Sequence, residues 1–270
     1  MKEKIGIIGY GHLGSALDRG FTKAGYETVI NNGDLGTTRR KLESIGIDRS
    51  KARELSRIAE DCAVLALCIK SNDLKMVGDE LSNYMDNRHI VFTFLAQTSL
   101  LEVVSVLRDV PLIARVMTTL GVAEQKGVSA YQLLESADLR RIEIVNGLIS
   151  EISAPGCVFR LNSEEEMQLF TVAVGCFPGI LAYFLNQLKS KIKQRDGGAL
   201  DNYEKVLPAL LGSVSQLLIE AGSLQILQEK IATKGGVTSA MIDSLEQSGL
   251  DNAIDGSIEA GLERMQLSTK

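Results

Sequence analysis

The sequence has few of the residues that metal sites and nucleophilic triads require. Only two histidines, His12 and His89, occur among 270 residues, and the four cysteines are scattered without a Cys-x-x-Cys pair. A zinc site, a disulfide framework and Ser-His-Asp chemistry therefore all lack support. We expect a cytoplasmic protein with buried, reduced thiols and no bound metal.

Charge and hydropathy argue against two further classes of protein. The formal net charge is −5, and no basic cluster of the kind that binds nucleic acid compensates for it. No uninterrupted apolar run reaches the roughly 18 residues of a membrane span. The most apolar stretch, 171–185, is broken by Gly175, Pro178 and Gly179, and the run at 5–8 is too short for a signal peptide. The sequence thus predicts no nucleic-acid partner and no membrane partner.

A glycine-rich motif follows the apolar run 5–8 directly. Gly9, Gly11 and Gly14 have the Gly-x-Gly-x-x-Gly spacing, and an amphipathic helical pattern continues to residue 24. The first glycine permits a tight turn, the second lets a pyrophosphate approach the backbone, and the third lets helix pack on strand. The pyrophosphate would then meet free N–H groups at the helix start. We predict cofactor contacts from the residues of this loop: Gly9, Gly11, His12, Leu13 and Gly14. The alternative is an ordinary strand-turn-helix.

The first half of the chain alternates between apolar runs and helical segments. Further candidate strands are 27–31, 63–69, 89–94 and 112–117, with candidate edge strands at 128–131 and 158–160. Such alternation predicts parallel β-α-β units in a doubly wound Rossmann sheet. From Ser163 onward only helical patterns occur, interrupted at Asp196-Gly197-Gly198. We therefore predict an α/β fold with a dinucleotide-binding Rossmann domain over 1–160 and an all-α domain over 161–270.

The helical half is unusually apolar. Its long helix near 202–220 carries Val206, Leu207, Leu210, Leu211, Val214, Leu217 and Leu218. That is more apolar surface than a domain of about 110 residues can bury alone. We expect a homodimer or a larger homo-oligomer in which these helices pack across the interface.

The end of the second predicted strand indicates which nucleotide binds. NAD-specific domains usually have an acidic residue there, which binds the ribose 2′-hydroxyl. Here the strand ends in Asn31 and Asn32, with Arg39 and Arg40 nearby. We predict NADP, with NAD as a possible substitute, and contacts from Asn31, Asn32 and Arg39. The alternative leaves both arginines on a solvated helix face. Lys70 ends a buried strand at the sheet edge where ligands bind, and is a further predicted contact.

The stretch 231–250 contains Gly235-Gly236-Val237-Thr238 and closes with a Leu-Glu-x-x-Gly sequence. It resembles the signature of the pyrroline-5-carboxylate reductase family. Matches in the same order are Leu67–Lys70, Arg115-Val116-Met117, Gly127–Ala130, and Gly175 with Pro178. The resemblance covers essentially the whole chain. It implies a two-domain architecture like that of 6-phosphogluconate dehydrogenase, and NADPH-dependent reduction of 1-pyrroline-5-carboxylate to L-proline. The β-hydroxyacid dehydrogenases share this architecture but need a lysine that residues 174–180 lack.

The resemblance also implies a site. Ala96 stands in the loop that follows the fourth strand, at the cofactor. Thr238 matches the threonine proposed as proton donor in the family, and the preceding glycines would expose N–H groups to an anion. We predict that the substrate, an imino acid, is bound by Thr119, Lys234, Gly235, Gly236 and Thr238, with Thr238 as the catalytic residue. A plain helix N-cap is the alternative for Thr238.

Three loops depart from the family pattern. Met117–Gly121 lacks the usual prolines and asparagine, Phe177 stands where glycine is usual, and Lys234 replaces a proline. These departures leave two alternatives open. One is a paralogous reductase of another small imine or keto acid, and the other is a catalytically inactive nucleotide-binding regulatory protein.

Overall fold

A seven-stranded sheet organises the first part of the chain. The computed structural model describes residues 2–107, 110, 112–134, 139–195 and 202–266. The strands are β1 (Lys4–Ile8), β2 (Glu27–Asn31), β3 (Val64–Leu67), β4 (Ile90–Thr93), β5 (Leu112–Thr118), β6 (Gly127–Gln132) and β7 (Ser153–Leu161). They lie in the order β2-β1-β3-β4-β5-β6-β7. The predicted doubly wound sheet is confirmed. Strands form at both predicted edge positions, but only β7 lies at an edge, because β6 is paired on both sides, with β5 and β7.

Two strands, β6 and β7, run against the other five. Neighbouring strands pair in parallel except β5 and β6, which are antiparallel. A single 3-10 turn, Leu120–Glu124, connects them. This connection is too short for the helical crossover that a parallel neighbour needs, so the chain reverses.

Helices cover both faces of the sheet. They are α1 (His12–Lys23), α2 (Leu35–Ser44), α3 (Leu55–Asp61), α4 (Leu74–Leu81), α5 (Leu100–Val106) and α6 (Leu139–Ser150). Successive residues of β3 alternate between two buried clusters: Val64 and Ala66 face one, Leu65 and Leu67 the other. Burial on both faces explains why this strand is apolar at every position.

The rest of the described chain is helical, as predicted. Its helices are α7 (Glu164–Phe170), α8 (Phe177–Lys193), α9 (Tyr203–Ala221), α10 (Leu224–Ile231), α11 (Val237–Gln247) and α12 (Leu250–Gln266). Ser163 caps α7 by accepting the Glu166 N–H, and three glutamates occupy its first turn, where the helix dipole favours acids. The predicted break at Asp196-Gly197-Gly198 lies outside the described residues.

The expectation that glycine and proline interrupt the apolar stretch 171–185 is wrong. A π-helical turn, Thr171–Gly175, carries the chain from α7 towards α8, and Pro178 is the second residue of α8. In a first turn the missing proline N–H costs no helical hydrogen bond. The helical segment Glu164–Lys193 is consequently long and apolar enough to cross a membrane by length and composition, and α9 with α10 would qualify as one bent pair.

Contacts divide the chain into two compact units. The first comprises Met1–Pro178 and Gly261–Lys270, and the second Gly179–Ala260. Of the described residues in the second unit, only Leu227 is buried. Its helices therefore have almost no core of their own within one chain. The boundary predicted at residue 160 stays a prediction.

Candidate functional site

Each glycine of the N-terminal loop has a distinct structural role. Gly9 has φ +94°, and a Cβ added there would lie 2.5 Å from the carbonyl oxygen of Cys68. A Cβ on Gly14 would lie 2.1 Å from the Gly9 carbonyl oxygen, so α1 packs directly on the loop. Around Gly11, by contrast, a Cβ would meet no atom within 4 Å. The loop is thus tight at its ends and open at its middle glycine.

The start of α1 is available to an anion. Gly11 is the N-cap residue and supplies no side-chain hydrogen bond to the helix. The first N–H groups of α1 belong to His12, Leu13 and Gly14, and a helix start has no partners of its own for these donors. His12 is exposed, whereas the Leu13 side chain packs against the core. An anion at this helix start would therefore be bound by the backbone N–H groups of these residues and by the positive end of the helix dipole.

A cleft of about 1010 Å³ opens at the carboxyl ends of β1, β2 and β3. The strand order reverses between β1 and β3, which is where open α/β sheets bind their ligands. Five predicted cofactor residues line the cleft: Gly9, Gly11, Asn31, Asn32 and Lys70. The other five are not among its lining residues: His12, Leu13 and Gly14 in the first turn of α1, Arg39, exposed on α2, and Ala96, exposed in the loop after β4.

The two asparagines hold the loops together. The Tyr10 N–H donates to Asn32 Oδ1 at 2.8 Å, which ties the glycine loop to the end of β2. Asn31 is buried; its Nδ2 donates to the Arg53 carbonyl at 2.9 Å and its Oδ1 accepts the Gly33 N–H at 3.2 Å. The sequence suggested cofactor contacts for both residues, and those contacts stay predictions. Their observed bonds give them a structural role that the sequence did not indicate.

The acidic residue Asp34 lines the cleft, where it caps the start of α2. Asp34 accepts the Thr37 N–H at 2.9 Å at the start of α2. Hydrogen bonds from the Thr37 hydroxyl and N–H lower the pKa of the Asp34 carboxyl. Arg40 donates to the Thr37 hydroxyl at 3.0 Å. This contact holds the Arg40 guanidinium at the start of α2, and the cofactor contact predicted for Arg39 stays a prediction.

A buried polar network lies beneath the glycine loop. The Asp18 carboxylate accepts hydrogen bonds from the Tyr10 hydroxyl, the Thr28 hydroxyl and Lys51 Nζ, the last at 2.8 Å. Burial raises the pKa of Asp18, but the hydrogen bonds from Lys51, Thr28 and Tyr10 outweigh burial and leave that pKa below its ordinary value. The network joins α1, β2 and the segment before α3. Nothing in the spacing of these residues indicated it.

The turn before α11 leads into a helix start that no side chain caps. Gly235 has φ +74°, and the Gly236 N–H donates to the Thr233 carbonyl at 2.9 Å. Gly236 is the N-cap residue and gives no side-chain hydrogen bond, so the N-cap alternative for Thr238 is wrong. Thr238 is the second residue of the helix and half-buried, and Lys234 is exposed.

Thr119 follows β5 in the first unit. Its Oγ1 accepts the Val128 N–H at 3.2 Å, and its own N–H donates to the Val128 carbonyl at 3.2 Å. The hydroxyl hydrogen stays available as a donor. Among the described residues, no group of three His, Cys, Asp or Glu side chains could hold a metal ion.

Two family models match separate parts of the chain. Residues 164–267 match "Pyrroline-5-carboxylate reductase dimerisation", and residues 4–97 match "NADP oxidoreductase coenzyme F420-dependent". The first match covers the helical region from the start of α7, and the second includes the glycine loop and Lys70.

Curated relatives resemble the chain over nearly its whole length. Pyrroline-5-carboxylate reductase 2 of Macaca fascicularis is 25% identical, over 95% of this chain and 81% of its own. Pyrroline-5-carboxylate reductase of Pasteurella multocida is 24% identical, over 99% and 98%. ComE operon protein 4 of Bacillus subtilis is 25% identical, over 92% and 90%.

Solved structures share the fold. A 1-pyrroline-5-carboxylate reductase from Streptococcus pyogenes gives a TM-score of 0.80 at 21% identity, over 97% of this chain and 98% of that one. A Plasmodium falciparum pyrroline carboxylate reductase with NADP bound gives 0.81 at 18% identity, over 100% and 99%.

Proposed function

The chain belongs to the pyrroline-5-carboxylate reductase family, and from that premise we propose that it reduces 1-pyrroline-5-carboxylate to L-proline with NADPH. The observation that carries the proposal is the glycine loop between β1 and α1, which is open at Gly11. It lies where the strand order reverses, and the uncapped start of α1 borders a cleft large enough for a dinucleotide. Ligand clefts of about 300 to 1,000 Å³ are usual for small molecules and cofactors.

The residues at the cleft fit a dinucleotide. Gly11 leaves space where the pyrophosphate approaches the backbone, and the N–H groups of His12, Leu13 and Gly14 offer donors. Lys70 adds a positive charge to the lining of the cleft. When bound, the cofactor supplies the hydride. NADP accords with the absence of an acid at the end of β2 and with Arg40 near the α2 start, and NAD remains the alternative donor.

The turn before α11 supplies the proposed substrate contacts. A carboxylate suits the uncapped start of α11, where backbone N–H groups lack partners and the dipole is positive. Thr238, half-buried in the first turn, is placed to donate its hydroxyl to the carboxylate or to the ring nitrogen. An alkyl alcohol is a weak acid, and a pyrrolinium ion can arrive already protonated. We therefore assign Thr238 to orienting the imine. Lys234, Gly235 and Gly236 complete this substrate turn, and Thr119 is proposed as a further polar contact.

A second copy of the chain is the proposed cover for the helical region. Exposed apolar side chains repeat along α8 and α9: Ile180, Tyr183, Phe184, Val206, Leu210 and Val214. The model matched by residues 164–267 describes dimerisation. Packing against a second copy would bury this surface, including the long helix Glu164–Lys193, without a lipid bilayer. The cytoplasmic location expected from the sequence stays a prediction.

The test is oxidation of NADPH at 340 nm with 1-pyrroline-5-carboxylate, with NADH run in parallel. Thr238→Ala should lower kcat/KM by about 10- to 100-fold, the loss expected for a hydrogen bond to a charged group. NADPH binding should stay within about twofold, because Thr238 belongs to the substrate turn. Thr238→Ser keeps the hydroxyl and should recover most of the activity, and Ser239→Ala is the control on the same helical turn.

Other outcomes would redirect the assignment. Equal losses of turnover and NADPH affinity in Thr238→Ala would contradict the role of Thr238. NADPH binding without turnover of pyrroline-5-carboxylate would contradict the substrate. Trials with other small imines and keto acids would then separate a paralogous reductase from an inactive nucleotide-binding protein.

A further inference from the structure

Arg115 is a fully buried arginine that joins two separate segments of the first unit. It lies in the middle of β5 with 1% of its side chain exposed. Its Nη2 donates to the Ala96 carbonyl at 2.9 Å, in the loop after β4. Its Nη1 forms an ion pair with Glu164, in the first turn of α7. One guanidinium thus connects the loop after β4 to the beginning of the helical region.

The segment Ala96–Thr98, which we term the β4 loop, is held at each of its three residues. Besides the bond from Arg115 to Ala96, Gln97 Nε2 donates to the Arg264 carbonyl at 3.1 Å. The Thr98 hydroxyl donates to Ser71 Oγ at 2.8 Å, and Ser71 directly follows Lys70 of the cleft wall. Three successive residues are therefore bonded to three different elements. The conformation of the β4 loop is set from outside it.

Arg115 also lies in a buried polar row that packing alone does not explain. Register pairs Thr93 of β4 with Arg115, and Arg115 with Gln132 of β6. Thr93 Oγ1, Arg115 Nε and Gln132 Oε1 are buried without a hydrogen-bond partner among the described residues. Buried polar groups without partners destabilise a fold, and an apolar side chain is often cheaper than a buried ion pair. The arginine is thus retained at a cost to stability, which indicates a role beyond filling space.

We propose that Arg115, together with Glu164, is a positioning residue that fixes the β4 loop beside the cofactor cleft. The loops after β1, β3 and β4 share one edge of the sheet, and a dinucleotide lies across that edge. Holding the β4 loop rigid would hold the far end of the cofactor in its reacting position. A planar guanidinium bonds the Ala96 carbonyl and the Glu164 carboxylate together, which the single ammonium of lysine does not reproduce. The identity of cofactor and substrate rests on the proposed function, but the contacts of Arg115 do not.

The experiment compares Arg115→Met, Arg115→Lys and Glu164→Gln with a matched control, Val145→Ala. Val145 is buried in α6 and belongs neither to the β4 loop nor to the residues that line the cleft. Four quantities are measured: hydrogen–deuterium exchange of residues 94–98, NADPH Kd by fluorescence, kcat with KM, and Tm. The control shows what a general loss of stability does to each.

A positioning role predicts a local pattern. Arg115→Met should speed amide exchange in the β4 loop by roughly tenfold or more, since local opening there becomes easier. It should lower kcat by about 10- to 100-fold, the loss that follows misplacement by about 1 Å, while KM changes far less. Arg115→Lys should resemble it, and Glu164→Gln should follow with a smaller loss, because its amide oxygen still accepts from Nη1. Val145→Ala should lower Tm and leave loop exchange and kcat near wild type.

Several results would overturn the role. One is an unchanged rate of amide exchange in the β4 loop of folded Arg115→Met. Another is a fall of kcat in Val145→Ala as large as that in Arg115→Met. If Arg115→Met does not fold, Arg115→Lys and Glu164→Gln decide by the same criteria. Loop exchange needs neither cofactor nor substrate. A wild-type protein without pyrroline-5-carboxylate turnover would therefore contradict the proposed function alone, and loop exchange would still judge Arg115.

Discussion

Three glycines allow cofactor binding to be separated from folding. A Cβ on Gly14 would lie 2.1 Å from the Gly9 carbonyl oxygen, and one on Gly20 would lie 2.3 Å from the Val122 carbonyl oxygen. Relief of either collision needs a movement of roughly 1 Å, and overpacking of this kind costs about 1 to 3 kcal/mol. Gly11 is different, because a Cβ there meets nothing within 4 Å and its φ of −86° suits any residue.

The three alanine variants should therefore behave differently. Gly11→Ala keeps the free energy of unfolding within about 1 kcal/mol, the scale of a changed N-cap, but weakens NADPH binding by about tenfold or more. Gly20→Ala loses stability and keeps NADPH affinity, since Val122 lies outside the cleft lining. Gly14→Ala loses both, because the carbonyl that it displaces belongs to the glycine loop.

Thermal unfolding and NADPH fluorescence titration on the same samples provide the assay. A unit of this size loses about 2 to 4 °C in Tm for each kcal/mol, so Gly14→Ala and Gly20→Ala should unfold about 2 to 12 °C lower. Folded Gly11→Ala with wild-type affinity would refute the reasoning, because the pyrophosphate would not approach that glycine. Equal losses of NADPH affinity in Gly20→Ala and Gly14→Ala would also refute it, because the loss of stability alone would then explain the weaker binding.

Asp18→Asn should cost about 3 kcal/mol at pH 7, because Lys51 loses its buried partner. The pKa of Asp18 is lower in the folded than in the unfolded protein. The carboxylate therefore stabilises the fold above the unfolded pKa of about 4, and this stabilisation is lost as pH falls through the folded pKa. In urea unfolding, the difference in unfolding free energy between Asp18→Asn and wild type should be smaller at pH 3 than at pH 7. Arg40→Ala should weaken NADPH binding more than NADH binding by about threefold or more, as expected for a charge near a 2′-phosphate, and Arg39→Ala in the same titrations tests the contact predicted from the sequence. Equal losses of NADPH and NADH affinity in Arg40→Ala would contradict its role. Leu210→Glu should shift the protein to a smaller species in light scattering, since it puts a charge in the proposed interface, whereas Met76→Glu, also on an exposed apolar residue, should not.

The sheet and the glycine loop could be predicted because their constraints are local. β3 is buried on both faces and is therefore apolar at every position, which the sequence displays without any knowledge of its neighbours. Gly9 needs a positive φ and Gly14 needs the absence of a Cβ, and both needs are met within six residues of chain. The reversal at β6 was less accessible. It depends on the short connection after β5, whose Leu120–Glu124 turn has no strong signal of its own.

Long-range contacts set the limit of the sequence analysis at the site. Asn32 was expected to contact the cofactor because of its position after β2, and nothing in the sequence indicated that its Oδ1 also accepts the N–H of Tyr10, 22 residues away. The Thr238 cap also failed for a geometric reason: α11 begins one residue after Gly236, which leaves Thr238 inside the helix.

Arg115 shows why a motif match and a function are separate inferences. In the sequence it appeared only as part of an Arg-x-Met match to the family. Its burial and its bonds to Ala96 and Glu164, residues 19 and 49 positions away, indicate the positioning role proposed above. Gln97 of the same β4 loop donates to the carbonyl of Arg264, near the end of α12. Glu164 and Arg264, which precede and follow the second unit in the sequence, are therefore both linked to this loop within the first unit. A single buried guanidinium can therefore make the geometry of the cofactor cleft depend on where the helical region begins, which no local pattern in the sequence encodes.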